Sequence, residues 1–186
     1  MFRLLEISII VLLSPIILFI LIFISILLFY ETKGRIIYFS QRIGINSKIF
    51  IMPKFRTMRL GTPQVATHLL ENPHSHLTFL GKFLRKTSLD ELPQVFTILY
   101  GDMSLVGPRP ALFNQHDLIE KRKAMGVDKI KPGITGWAQI NGRDDITIDE
   151  KIKLDYYYLN KKSILLDVKI IFLTILRIFK PKNISH

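Results

Sequence analysis

The chain has 186 residues, 48% of them hydrophobic, with 26 Lys and Arg against 15 Asp and Glu. It has no cysteine, which excludes a disulfide framework, a thiolate metal site and a cysteine nucleophile. Residues 1–30 hold one cation, Arg3, and one anion, Glu6, so the whole net charge of +11 belongs to residues 31–186. That remainder has the size of one ordinary domain and is attracted to polyanions. With an apolar segment attached, the expected partners are membrane lipid headgroups and phosphorylated substrates rather than nucleic acid.

From Ile7 to Tyr30 there is neither charge nor glycine, and the run reads as a membrane helix. It is too long for a signal-peptide core, and no small-residue cleavage site precedes Glu31. Pro15 cannot donate to the carbonyl of Val11, so a break or kink is expected there, with Ser14 able to satisfy the freed oxygen. At ~1.5 Å per residue the arms before and after it are ~20 Å and ~24 Å long, against a hydrocarbon core of ~30 Å. Neither arm spans alone, whereas the whole run would span as one kinked helix. Arg3 on one side and Lys33, Arg35 and Arg42 on the other favour both ends on the cytoplasmic face.

Ile36–Phe39 and Ile49–Met52 are β-prone runs joined through Gly44-Ile45-Asn46-Ser47, a hairpin pattern. Residues 60–80 suggest a loop with a short helix, whose His68, His74 and His76 read as solvated rather than as metal ligands. A helix is expected over about Asp90–Tyr100 and another over Phe113–Met125. Ile164–Phe179 is apolar except for a narrow stripe of Asp167, Thr174 and Arg177, stopped by Pro181. Such a segment suits a helix in the membrane interface or one packed on the domain.

Chemistry concentrates in three places. Arg85-Lys86-Thr87-Ser88-Leu89-Asp90-Glu91-Leu92-Pro93 sets two adjacent carboxylates after two cations. A capping box from Ser88 to Glu91, or a cap by Asp90, would explain one carboxylate but not both. One carboxylate can attack while the other holds a divalent cation over a phosphate. Lys54 and Arg56, two apart on a strand, would present two cations on one face, and Arg109 is constrained between Pro108 and Pro110. In the stretch Pro132–Arg143, three glycines allow close approach of a ligand, while Trp137, Gln139, Asn141 and Arg143 offer stacking, amide pairing and charge suited to a nucleotide.

Five motifs occur in order: Ser14-Pro15; Lys54-Phe55-Arg56-Thr57-Met58; Ser88-Leu89-Asp90-Glu91-Leu92-Pro93-Gln94; Gly101-Asp102-Met103-Ser104-Leu105-Val106-Gly107-Pro108-Arg109-Pro110; and Pro132–Arg143. Together they closely resemble the bacterial sugar transferases known as monotopic polyprenyl-phosphate phosphoglycosyl transferases, in their small form. In place of the basic cluster and Asp usual before the apolar helix, this chain has Arg3 and Glu6.

The resemblance implies an α+β, mostly helical fold. A re-entrant membrane helix over 1–30, broken at Ser14-Pro15, would precede a cytoplasmic catalytic domain over 31–186 with a short β-hairpin and interfacial helices, the last at about 164–180. It implies transfer of a sugar 1-phosphate from a UDP-sugar to polyprenyl phosphate at the bacterial inner membrane, with release of UMP. Asp90 would be the nucleophile and Glu91, with Asp90, would hold Mg²⁺. Lys54, Arg56, Arg85, Arg109 and Arg143 would be phosphate or nucleotide contacts, with Gln139, Asn141 and Asp155 as further substrate contacts. The sugar and the oligomeric state are not specified. Rival classes are a membrane glycosyltransferase releasing UDP and a non-enzymatic membrane adaptor in which Asp90 only caps a helix.

Overall fold

A computed structural model describes residues 2–63, 72–142 and 146–179. Its longest element, α1 (Phe2–Thr32), continues as one helix through Pro15, without the interruption expected at Ser14-Pro15. The Ser14 hydroxyl donates to the Val11 carbonyl at 2.7 Å, the oxygen that Pro15 cannot serve. Ile10, Ile24 and Leu28 on one side of α1 are buried against the body, and most of the remaining side chains, Phe19 and Leu12 among them, are exposed. An exposed apolar face of this size marks a surface for association with a membrane or another protein.

Both ends of α1 are fastened to the same body. Near the start, Arg3 Nη2 donates to the Leu99 carbonyl at 3.1 Å, while the Glu6 carboxylate accepts from Leu105 N at 2.8 Å and from the Ser104 hydroxyl. Near the end, Glu31 accepts from Leu80 N at 3.0 Å. The two ends of α1 are therefore both held by the same folded body.

The expected hairpin is present, with β1 (Ile37–Ile43) antiparallel to β2 (Ile49–Phe55) and Ile37 opposite Phe55. Helix α2 (Phe79–Thr87) is capped by Thr78, whose hydroxyl accepts from Gly81 N at 3.0 Å. Gly81 lies so close to β2's continuation that a β-carbon on it would sit 2.1 Å from the Thr57 carbonyl oxygen. The helix expected over Asp90–Tyr100 divides in two: a 3₁₀ turn over Leu89–Gln94 and then α3 (Val95–Tyr100). Pro93, with no N–H, sits in the turn, and the α-helical spacing begins only beyond it. Ser88 adopts a left-handed conformation (φ +58°) and forms no side-chain cap, so neither expected cap geometry occurs.

Strand β3 (Ser104–Val106) pairs in parallel with β4 (Gly133–Thr135). Between them lies α4 (His116–Ala124), shorter than the expected Phe113–Met125. Helices α5 (Trp137–Asn141), α6 (Ile148–Lys161) and α7 (Ile164–Phe179) complete the described chain. A full capping box between Thr147 and Glu150 starts α6. Arg143 and Pro181 lie outside the described residues.

Helix α7 is turned with its polar stripe inward. Asp167 accepts from the Tyr158 hydroxyl at 2.7 Å, Thr174 is bonded to Thr135 at 2.6 Å, and Arg177 donates to the Gln139 carbonyl at 3.3 Å. Ile170 is fully buried among them, while Leu165 (83% exposed) and Phe172 (60%) face outward with Val168, Ile175 and Leu176. Phe79 and Phe83 of α2 and Leu99 and Tyr100 of α3 are likewise exposed. An outward apolar face on a helix whose polar groups are satisfied by the protein fits insertion into the headgroup region of a bilayer.

Candidate active site

The 3₁₀ turn packs against the end of β2 and brings the carboxylates to Lys54. Glu91 Oε1 accepts from Lys54 Nζ at 3.0 Å and from Arg109 Nη2 at 2.6 Å, while Oε2 is 3.4 Å from Arg109 Nη1. Burial alone would raise the Glu91 pKa. The charges and hydrogen bonds of Arg109 and Lys54 outweigh it and hold Glu91 well below the usual carboxylate range. Asp90 differs: it is 8% exposed, and burial, against the pull of Lys54 and with the repulsion of Glu91, pushes it up to about 6. Two adjacent carboxylates are thus driven apart, one permanently ionised and one poised near neutrality, an arrangement that occurs at reactive sites.

The cations hold this site from several sides. Burial lowers the Lys54 pKa, which Glu91 in turn raises. Arg85 lies near enough to lower the Asp90 pKa, and its Nε donates to the Thr57 hydroxyl at 3.0 Å. Arg42, which the motifs do not single out as a site residue, is also drawn in. Its Nε donates to Ser40 at 3.1 Å and its Nη1 to the Pro110 carbonyl at 3.2 Å, and burial followed by the neighbouring Arg109 lowers its pKa to about 10. It therefore stays charged at neutral pH. The available signal was its position on β1 two residues after buried Ser40, where strand alternation turns a cation inward.

Arg109 is positioned through its backbone. With prolines on both sides the segment has few donors, and all four carbonyls from Pro108 to Ala111 accept from elsewhere: from Gly133 N, Arg122 Nη1, Arg42 Nη1 and Ile43 N. Gly107 lies against this frame, where a β-carbon would sit 2.4 Å from the Lys131 carbonyl oxygen. Arg122 grips the Arg109 carbonyl at 2.7 Å and is itself held by Asp155 Oδ2, from Nε at 3.0 Å and Nη2 at 2.6 Å. Asp155, with a side chain 1% exposed, therefore sits behind Arg109 as the anchor of Arg122. Replacing it with alanine leaves a buried guanidinium unpaired. We expect a loss of about 3–5 kcal/mol in chemical denaturation, with the release of Arg109 appearing as a lowered turnover rate in the surviving folded fraction.

The other expected contacts are placed apart from this cluster. Arg56 follows the end of β2 and donates to the Arg35 and Ile37 carbonyls at 2.9 and 3.2 Å, with its guanidinium over Tyr38, so it ties down the start of β1. It does not share Lys54's partner Glu91 among the described contacts. Gln139 donates to the Ile134 carbonyl at 3.0 Å and Asn141 to that of Trp137 at 2.7 Å, both within the β4–α5 segment. Gln139 Oε1 is buried with no hydrogen-bond partner among the described residues. His76 offers its carbonyl to Arg59 N, and no group of three His or acidic residues suited to a metal occurs among the described residues.

A carboxylate held above its usual range amid an excess of cations, in a body flanked by a helix with an exposed apolar face, is an arrangement suited to an anionic ligand. Comparison with known proteins gives the family. The chain belongs to the bacterial sugar transferase family, whose sequence model matches residues 1–181. It is 41% identical over 154 residues to a Bacillus subtilis protein named uncharacterized sugar transferase EpsL, covering 82% of this chain and 75% of that one. It is 44% identical over 154 residues to a galactosyl transferase, CpsE, of Streptococcus agalactiae, covering 76% of this chain and 34% of that protein. It is 39% identical over 162 residues to the UDP-glucose:undecaprenyl-phosphate glucose-1-phosphate transferase of Escherichia coli, covering 82% of this chain and 34% of the relative. The chain thus spans three quarters of the first and about a third of the other two.

Proposed function

We propose that this enzyme transfers a sugar 1-phosphate from a UDP-sugar to polyprenyl phosphate at the cytoplasmic face of a bacterial inner membrane, releasing UMP and initiating a surface glycan or glycoprotein. The observation that carries this reading is Asp90, a buried carboxylate poised near neutrality beside an ionised Glu91 and under three cations, Lys54, Arg85 and Arg109. The names of relatives acting on undecaprenyl phosphate support it.

In this reading an Asp90 carboxylate oxygen attacks the sugar-bearing phosphorus of the UDP-sugar. A phosphorus–oxygen bond forms to Asp90 and the one to the UMP phosphate breaks, the bonding pair leaving with UMP. An oxygen of polyprenyl phosphate then attacks the same phosphorus, forming the lipid diphosphate and returning Asp90 as a carboxylate. Two half-reactions sharing one covalent species give ping-pong kinetics. Lys54, Arg85 and Arg109 supply positive charge where the diphosphate must lie, and Arg109, partly exposed, can turn from Glu91 to an incoming phosphate. Asp90 and Glu91 also suit a magnesium site that uses one or two carboxylates and completes its shell with water and substrate phosphate. Glu91 is ionised, and its Oε2 has only the longer contact to Arg109. Bound there, magnesium would neutralise diphosphate charge.

Fastening of both ends of α1 to one body supports a re-entrant course with both ends cytoplasmic. A tag on the N-terminus should be shielded from an impermeant reagent in spheroplasts and reached in inverted vesicles; reaction in spheroplasts would contradict this topology. The activity is tested by incubating purified protein with a panel of UDP-sugars, polyprenyl phosphate and Mg²⁺. UMP is the expected product, UDP would indicate a conventional glycosyltransferase, and neither would leave an adaptor.

A further inference from the structure

Gln94 closes the 3₁₀ turn that carries Asp90 and Glu91, and it is buried, 2% exposed. Its backbone is fixed, because the Gln94 carbonyl accepts from the Thr97 hydroxyl at 2.6 Å. Its amide Nε2 is shut off from solvent, yet it has no acceptor among the described residues. An unmade hydrogen bond at a buried donor costs stability that an apolar side chain of the same size would not lose. A residue kept on those terms, three positions from Glu91, points to a partner that becomes available during turnover.

The turn itself indicates the partner. With three residues per turn, side chains three apart in a 3₁₀ helix lie over one another, which puts Gln94 on the side of Glu91. Lys54 serves Glu91 at Oε1 and Arg109 serves both oxygens, and of the two cations Arg109 is the more exposed, 43% against 15%. When Arg109 turns to a substrate phosphate, Oε2 gives up the hydrogen bond it has, in a side chain only 14% exposed. A buried, ionised oxygen short of a donor then lies one turn from a buried donor short of an acceptor. From this match we propose that Gln94 is a positioning residue for Glu91, its Nε2 donating to the carboxylate when Arg109 leaves it for the diphosphate. The exchange keeps Glu91 in place while Arg109 serves the substrate. Each carboxylate oxygen carries two lone pairs, so the amide and a metal ion can share Glu91. The inference rests on the function proposed above for what draws Arg109 away.

A thermal cycle on the full chain tests the exchange without any substrate. Gln94→Met keeps the volume and removes the unpartnered donor, so it should raise the unfolding midpoint by a few degrees. Arg109→Ala imitates the departure of Arg109. In that background Glu91 already takes the Gln94 amide, so the same Gln94→Met substitution should lower the midpoint. A midpoint lowered by Gln94→Met in the otherwise unaltered protein would show the amide bonded to the fold, and an equal rise in both backgrounds would show that it never reaches Glu91. Either result overturns the proposal. Kinetics supply a second reading. The replacement bond forms as the UDP-sugar binds, so Gln94→Met should raise the KM of the UMP burst for UDP-sugar about tenfold, with the loss in KM rather than in the rate at saturation. An unchanged KM, or a loss confined to the saturating rate, would mark a merely structural disturbance of the turn and overturn the role in turnover. Absence of the burst from the unaltered protein with every UDP-sugar would instead overturn the function proposed above, and the sign of the thermal cycle would still decide whether Gln94 serves Glu91.

Discussion

Asp90→Asn should lower the UMP burst on the order of 10⁴-fold or more, because an amide of nearly the same shape cannot form the acyl phosphate. The fold should survive. Asp90 titrates higher in the native protein than its ordinary value, chiefly through burial, so above that ordinary value its charge opposes folding. Removing the charge lifts that opposition, and Glu91 still accepts from Lys54 and Arg109. Thermal unfolding at pH 8 should therefore show a midpoint no lower than wild type, separating loss of chemistry from loss of structure. A variant that unfolds early would assign Asp90 a structural role, and one that retains the burst would remove it from the reaction.

Glu91→Gln should slow the burst by about two to three orders of magnitude and also change its pH dependence. In the proposed mechanism only the ionised Asp90 attacks, so the wild-type rate should fall as pH drops through about 6. The Glu91 charge is one of the causes of that high value, while Lys54, Arg85 and Arg109 act against it. With Glu91 neutral, the cations dominate and the acid limb should move to lower pH. A purely structural role for Glu91 would reduce the amplitude without moving the limb, so a pH–rate profile of the burst distinguishes the two.

The parts of this protein governed by local pattern were legible in its sequence. The hairpin followed from two β-prone runs around Gly44–Ser47, and α7 occupies the apolar segment with its polar stripe at helical spacing. The adjacency of Asp90 and Glu91 also marked a candidate site, and the structure gives the two residues opposite titration behaviour. What depends on long-range packing was not legible. Helix α2 contains Gly81, a poor helix former, because that turn must pass close to Thr57. Asp155 meets Arg122 across 33 positions, and nothing local announces the pair. Arg56 has the strand spacing of a partner to Lys54, yet the strand ends at Phe55, and its side chain turns to backbone carbonyls. The inward turn of α7's polar stripe likewise depends on Tyr158, Thr135 and Gln139 being there to meet it.

The covalent species on Asp90 is the point on which the mechanism stands. Intact-mass spectrometry of the protein incubated with its UDP-sugar and Mg²⁺, without acceptor, tests it directly. The expected result is one sugar phosphate added per chain, mapped to Asp90, with one UMP released and the adduct discharged on adding polyprenyl phosphate. Release of UMP only when acceptor is present, with no adduct at any time, would show direct transfer between the two substrates and contradict the account.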